Sequence, residues 1–71
     1  MSEGVRWYPG ETPGRRFWTA YPGSHTVMCV REVQAGVFNW SVSDETGIQD
    51  DGQAASPEAA QEAAAAAYVA L

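Results

Sequence analysis

Cys29 and His25 are the two residues of this chain best suited to nucleophilic chemistry, and they lie four positions apart. An imidazole beside a thiol can remove its proton and so produce a nucleophilic thiolate. The surrounding residues predict a β-strand, however, and strand residues four apart are separated by ~13 Å, too far for a hydrogen bond. We therefore expect Cys29 to be buried and inert, as free cysteines commonly are, and His25 to lie at a strand end. Because no convergent set of acid, base and nucleophile is present, we predict a protein that is not an enzyme and has no catalytic residues.

Four carboxylates fall within eight residues, at Asp44, Glu45, Asp50 and Asp51. Their spacing lacks the alternating ligands and fixed glycine of a calcium-binding loop. Paired carboxylates also hydrolyse glycosides, but no cleft is evident in so short a chain. One cysteine and one histidine do not complete a zinc site, so we predict no metal and no cofactor. The cluster is either a solvated acidic loop or a recognition surface that steers and orients a basic partner.

Three aromatic side chains, Trp7, Trp18 and Tyr21, are candidates for a second recognition surface, because Trp, Tyr and Arg are enriched at interface hot spots. They are as well suited to the core, since a domain this small buries only ~60 % of its unfolded surface. The basic and aromatic run at 15–18 has the composition of sites on which nucleic-acid strands stack. Two arginines in an acidic chain are weak grounds for such a site, and solubilisation of a strand edge is the simpler interpretation.

The net charge of −5 conceals a strong asymmetry along the chain. All four arginines lie within positions 1–31, where only two glutamates oppose them, so this part carries +2. Positions 32–71 hold seven carboxylates and no Lys or Arg, so this part carries −7. An acidic chain repels a phosphate backbone, so we do not expect direct nucleic-acid binding. A basic protein surface is the expected partner.

The segments that position these side chains predict one α+β domain preceded by an arm. Positions 1–14 contain two Pro-Gly pairs and predict a turn-rich N-terminal arm, in which Trp7 forms either a short strand or a segment laid on the sheet. Aromatic and β-branched residues predict strands at 15–21, 25–33 and 37–43, and a weaker pattern at 48–53 allows a fourth. Positions 57–71 predict an Ala-rich helix, which begins after the capping residue Ser56. We therefore predict a three- to four-stranded antiparallel meander with the helix packed on one face, so that 15–71 forms a single β-β-β(-β)-α domain.

The clearest pattern is that of positions 37–43. Phe38, Trp40 and Val42 alternate with polar residues, as in an antiparallel strand with one dry and one wet face. The helix presents a stripe of small or apolar side chains, formed by Ala60, Ala64, Ala67 and Leu71. Alanine permits close approach, so the aromatic rings supply most of the buried area. The opposite face of the sheet is left for the N-terminal arm or for a partner, which includes a second copy of the chain.

Nothing in the sequence predicts an association with membranes. No run of 18 apolar residues is present, and the first residues lack the basic and apolar segments of a signal peptide. A single cysteine cannot form an internal disulfide and agrees with a reducing compartment. The expected location is the cytoplasm of a host cell.

The order strand, strand, strand, helix resembles the double-stranded-RNA-binding domain without its first helix. That family binds RNA through lysines at the start of its last helix. The corresponding segment here, Ser56-Pro57-Glu58-Ala59-Ala60-Gln61-Glu62, is acidic and contains no lysine. This departure from the family's pattern removes RNA binding from consideration.

A Trp-bearing strand, Phe38-Asn39-Trp40-Ser41-Val42, leads through Gly52-Gln53-Ala54-Ala55-Ser56-Pro57-Glu58-Ala59-Ala60 into the helix and looks like a common type of small bacteriophage or prophage protein. Such phage products include anti-CRISPR proteins, which are similar in size, acidity and lack of catalytic residues. The resemblance implies a non-enzymatic inhibitor that occupies a basic surface of a defence nuclease or surveillance complex, and it transfers no site residues. The alternative is a small structural or assembly protein that homodimerises through the open face of its sheet.

Overall fold

The computed structural model describes residues 6–70, which form five antiparallel strands followed by one helix. The elements are β1 (Trp7–Thr12), β2 (Arg15–Gly23), β3 (Thr26–Gln34), β4 (Val37–Asp44), β5 (Gly47–Ala54) and α1 (Pro57–Ala70). The strands lie side by side in chain order, so the sheet is a simple meander. The predicted α+β class, antiparallel sheet and C-terminal helix are confirmed, whereas the predicted number of three to four strands was too low.

The additional strand lies in the segment that was predicted to be a turn-rich arm. Over the described part of that segment, β1 pairs with β2 from Trp7 opposite Ala20 to Thr12 opposite Arg15. Pro9 lies within this strand, which is tolerated because β1 is an edge strand and needs hydrogen bonds on one side only. The arm and the domain are thus one sheet, and residues 1–5 of the arm lie outside the described residues.

The hydrophobic core lies between α1 and one face of the sheet, here called the inner face. Its fully or almost fully buried residues come from three central strands and the helix: Ala20, Met28, Val30, Phe38, Val42, Ala60 and Ala64. The helix contacts β3, β4 and β5. The half-buried indole rings of Trp7, Trp18 and Trp40 pack around this core. The predicted dry face of β4 is therefore confirmed.

The helix begins where the sequence predicts. The backbone N–H of Ala59 donates to the Ser56 hydroxyl at 3.1 Å, and the N–H of Ala60 donates to the Ser56 carbonyl at 3.0 Å. This cap satisfies amides of the first turn that have no partner within the helix. Of the predicted stripe, Ala60 and Ala64 are buried and Ala67 packs against the core, while Leu71 lies outside the described residues. Tyr68 also packs against the core, which the sequence analysis did not predict.

Candidate functional site

The structure places the four clustered carboxylates on one hairpin, formed by β4 and β5 and here called the acidic hairpin. Asp44 and Glu45 lie at its turn, and Asp50 and Asp51 lie on β5, which is an edge strand. Asp50 stands opposite Val42 and Asp51 opposite Ser41. Because residues that follow each other in a strand point to opposite faces, the two aspartates lie on opposite sides of the sheet. The hairpin therefore carries acid at its tip and on both faces.

Asp44 has a structural role within this hairpin. Its Oδ1 accepts hydrogen bonds from the Thr46 N–H at 2.8 Å, the Thr46 hydroxyl at 2.6 Å and the Gln49 side-chain amide at 3.0 Å. These contacts hold the turn closed, in the manner of an Asx turn. Asp44 is therefore occupied by its own loop. The other three carboxylates are better placed to meet a partner.

The same contacts lower the pKa of Asp44. The Thr46 hydroxyl, the Thr46 amide and the Gln49 amide donate to the ionised carboxylate and hold the pKa of Asp44 below its ordinary value of 3.8. A lowered folded-state pKa stabilises the fold above the ordinary pKa, and this contribution is lost as the pH falls through the folded-state value. In a carbon-detected NMR titration, we expect the Asp44 carboxyl to have a lower midpoint in the wild type than in Thr46→Ala. Equal midpoints would contradict this account of the turn.

Within the described part of the chain, no arginine forms an ion pair with a carboxylate of the acidic hairpin. Within residues 6–70, the ion pairs are Arg16 Nε to Glu32 Oε1 at 3.3 Å and His25 Nδ1 to Glu45 Oε2 at 3.9 Å. The second pair is exposed on both sides and is ionic only when the histidine is protonated. The negative charges of Glu45, Asp50 and Asp51, all of which are exposed, are thus directed at solvent.

The three predicted recognition aromatics occupy two different environments. Trp7 and Trp18 pack against the core on the inner face, where the Trp18 ring lies 6.1 Å from the Phe38 ring and the Arg16 guanidinium lies 5.6 Å from the Trp18 centroid. Tyr21 points to the opposite face, is 62 % exposed, and pairs with Tyr8 at 6.3 Å between ring centroids. The structure therefore does not bring the three together into one patch.

Cys29 is not buried, contrary to the prediction from its residue type. It is half-exposed on β3, where it stands between Thr19 of β2 and Ser41 of β4 on the face opposite the helix. His25 lies in the turn before β3 and is exposed. The prediction failed because it assigned the apolar residues of β3 to a core on both sides, whereas α1 covers only one side.

The face of the sheet opposite the helix, here called the outer face, has no element over it among residues 6–70. The strand registers arrange its side chains in rows that cross the sheet. The middle row is Tyr8, Thr19, Cys29, Ser41 and Asp51. Two large apolar side chains, Tyr21 and Ile48, are more than 60 % exposed here. The alternating pattern of β4 predicts the polar side chains that this strand contributes to the open face, but the rows across the sheet depend on the strand registers.

A shallow cleft of about 250 Å³ lies at the β5 side of the outer face. Its lining includes Arg31, Asn39, Ser41, Ile48, Asp51 and Gln53. The Oδ1 atom of Asn39 is buried and has no hydrogen-bond donor among residues 6–70, which is unusual for a buried polar atom. The cleft carries one cation and one anion, so it has no strong preference for either sign of charge.

Neither a metal site nor a membrane segment emerges from the described residues. No group of three His, Cys, Asp or Glu side chains within 6–70 is arranged to hold a metal ion. The helix of this part of the chain is too short and too polar to cross a bilayer. In comparisons with known proteins, no family model, no curated protein and no solved structure matches this chain.

Proposed function

We propose that this chain is a non-enzymatic binding protein whose acidic hairpin occupies a basic surface on another protein. The observation that carries the proposal is the unneutralised charge of the hairpin: Glu45, Asp50 and Asp51 form no ion pair with any arginine of residues 6–70. Carboxylates in this state form charge-assisted hydrogen bonds with Lys or Arg of a partner. They also accelerate the encounter with a basic surface.

The geometry of the hairpin favours a groove over a flat surface. Glu45 lies at the turn, while Asp50 and Asp51 lie on opposite faces of the edge strand. A flat basic surface would meet only one of these two aspartates. A groove with Lys or Arg on both walls would meet both, with Glu45 at its floor.

Grooves with basic walls are typical of proteins that hold nucleic-acid strands. We therefore propose that the partner is a nucleic-acid-handling protein and that the hairpin competes with the strand. In keeping with the resemblance to small phage products, the proposed setting is a phage-encoded inhibitor of a host defence nuclease or surveillance complex, acting in the host cytoplasm. The chain itself would not bind nucleic acid, since its charge is −5.

The experiment is a charge-neutralising triple variant, Glu45→Gln, Asp50→Asn and Asp51→Asn, which leaves Asp44 to hold the turn. Partners are captured from host lysate, and the affinity of the chain for each is measured at several salt concentrations. We expect the triple variant to lose at least about tenfold in affinity, or ~1.4 kcal/mol, and to show a weaker salt dependence. Short single-stranded DNA should displace the wild type from the partner.

The matched control removes the same number of negative charges elsewhere: Glu11→Gln, Glu58→Gln and Glu62→Gln. All three glutamates are exposed and lie outside the acidic hairpin. Equal losses of affinity in the two triple variants would reduce the effect to net charge. An unchanged affinity in the hairpin variant would refute the proposed site.

The second candidate is an assembly protein that associates with itself. It is favoured by a different observation, the outer face that no element within residues 6–70 covers. Size-exclusion chromatography with light scattering separates the two candidates. A strict monomer at high micromolar concentration would eliminate self-assembly and leave the hairpin proposal intact.

A further inference from the structure

We propose that the shallow cleft on the outer face binds a small zwitterion of the α-amino-acid type, with its carboxylate toward Arg31 and its ammonium group toward Asp51. This site goes beyond the proposed binding of a basic protein surface and shares only Asp51 with the acidic hairpin. The cleft has a volume of about 250 Å³, below the ~300–1,000 Å³ of sites for drug-sized ligands. The ligand is therefore expected to be small.

The cleft lies between two rows of polar side chains that cross the outer face. The rows are formed by five residues: Arg31, Asn39 and Gln53 in one, and Ser41 and Asp51 in the other. The pair between the rows is Trp40 opposite Gly52, which places no side chain on this face because the Trp40 ring packs against the core. Both residues line the cleft, so their backbone forms its floor. The rows are two residues apart along the strands, or ~7 Å.

The two charged groups of the cleft are not used inside the fold. The ion pairs within residues 6–70 include neither Arg31 nor Asp51. These residues stand on β3 and β5, one row apart and separated by two strand spacings of ~4.8 Å, with β4 between them. Opposite charges held apart in this way are complementary to a ligand that carries both charges, because the guanidinium binds a carboxylate and the carboxylate accepts from an ammonium group.

Asn39 and Ser41 lie on β4, between the charged residues, and add uncharged hydrogen-bonding groups. The Oδ1 atom of Asn39 is buried without a donor among residues 6–70, and Nδ2 is not buried in the same way. Nδ2 is a donor only, so it suits the carboxylate that Arg31 binds in the same row. The Ser41 hydroxyl, in the row of Asp51, accepts from the ammonium group. Each end of the ligand thus meets one charged and one neutral partner.

Ile48 adds an apolar contact beside the ammonium end. It stands opposite Ser43, one row beyond Asp51, and lines the cleft. Its side chain is 65 % exposed, so a ligand that covers it removes apolar surface from water. We therefore expect amino acids with a branched aliphatic side chain to bind more tightly than glycine.

The ligand class is tested by titrating ¹⁵N-labelled protein and following the amide resonances. We expect L-leucine to cause saturable shifts at Asn39, Ser41 and Gly52, with a dissociation constant on the order of 1 mM because the ligand is small and the cleft shallow. L-leucinamide lacks the carboxylate, 4-methylpentanoate lacks the ammonium group and glycine lacks the apolar side chain. At constant ionic strength, each should bind at least about fivefold more weakly.

Two outcomes of this titration would overturn the proposal. One is that L-leucine causes no saturable shift in the cleft at concentrations up to about 50 mM. The other is that L-leucinamide or 4-methylpentanoate binds as tightly as L-leucine, because the cleft would then recognise a single charge rather than a zwitterion.

Two pairs of single substitutions test the assigned contacts. Asp51→Asn removes the carboxylate of the cleft, whereas Asp50→Asn removes the same charge from the neighbouring residue on the opposite face. Arg31→Gln removes the cation of the cleft, whereas Arg6→Gln removes one that does not line it. All four residues are exposed, so the variants should fold. We expect Asp51→Asn and Arg31→Gln each to weaken L-leucine binding at least about fivefold and both controls to leave it unchanged. Equal effects within each pair would overturn the proposal.

The cleft proposal and the hairpin proposal fail independently. Glu45→Gln with Asp50→Asn changes the acidic hairpin, but neither residue lines the cleft. We expect this double variant to lose affinity for a captured partner and to keep L-leucine binding. Loss of L-leucine binding in it would overturn the cleft proposal, whereas full affinity for the partner would overturn the hairpin proposal alone.

Discussion

Replacing Phe38 with alanine is expected to lower the free energy of unfolding by about 3–5 kcal/mol, the range for truncation of a buried aromatic. Phe38 is only 4 % exposed and packs with Val30 and Ala60 between the sheet and the helix. A domain of 71 residues has a total stability of about 4–10 kcal/mol at the usual ~0.05–0.15 kcal/mol per residue. The substitution therefore removes a large share of the stability and leaves a substantial unfolded population.

Urea denaturation followed by tryptophan fluorescence and far-UV circular dichroism measures this effect. The matched control is Ile48→Ala, which truncates an apolar side chain of the neighbouring strand that is 65 % exposed. It should change the free energy of unfolding of the monomer by no more than about 0.5 kcal/mol, measured at a protein concentration below that of any association. A loss under about 1 kcal/mol for Phe38→Ala would mean that the core does not depend on this ring.

The sequence is informative about β4 and α1 because each has a single strong pattern. The alternation around Trp40 fixes which residues face the core, since a slip of one residue would expose the whole apolar set. Ser56 and Pro57 mark the helix start through hydrogen bonding and backbone geometry that depend on neighbours only. The sequence therefore predicts β4 and the start of α1 well, because the interactions that decide them are made by neighbouring residues.

The two Pro-Gly pairs near the N-terminus show why such rules failed for β1. Pro13-Gly14 forms the predicted turn, and Gly14 has the φ of 80° that a type II turn requires at its third residue. Pro9-Gly10 has the same local signature but lies within β1. There, a Cβ atom on Gly10 would lie 2.2 Å from Cε1 of Phe17, so the glycine makes room for a ring on the neighbouring strand. That reason is a contact across the sheet, which no window of sequence reveals.

The acidic hairpin was also only partly predictable from the sequence. The carboxylates are evident in the sequence, but their arrangement depends on the register between β4 and β5. That register shifts by one residue between Val42 and Ser43, so that no residue of β4 stands opposite Gln49 in the strand pairing. An irregularity of this kind decides that Asp50 and Asp51 take their particular sides. Because the sequence does not reveal this register shift, it could not predict on which face of the sheet each of the two aspartates lies.

The core and the acidic hairpin are joined through Trp40. Its indole ring lies over Gly52 of β5, where a Cβ atom would lie 2.8 Å from Cζ2 of the ring. The edge strand that bears Asp50 and Asp51 thus owes its position to a large ring on the inner face and to a glycine that accommodates it. Together with the pairing to β4 and the contacts with α1, this packing holds in the sheet a strand rich in Asp, Gly and Gln, which has a poor intrinsic preference for β-structure.

Replacing Ala64 with leucine is expected to lower the free energy of unfolding by about 3 kcal/mol, the upper end of the range for overpacking. Ala64 is fully buried and packs with Ala20, Met28 and Val42, so helix and sheet meet with no room for a larger side chain.

The matched control is Ala66→Leu on the exposed side of the same helix. Leucine and alanine are both strong helix formers, so propensity changes little in either variant. Thermal and urea unfolding should separate the two, with Ala66→Leu within about 0.5 kcal/mol of the wild type. A stabilised Ala64→Leu would contradict this account, because it would show that the space between the helix and the sheet accommodates a larger side chain than alanine.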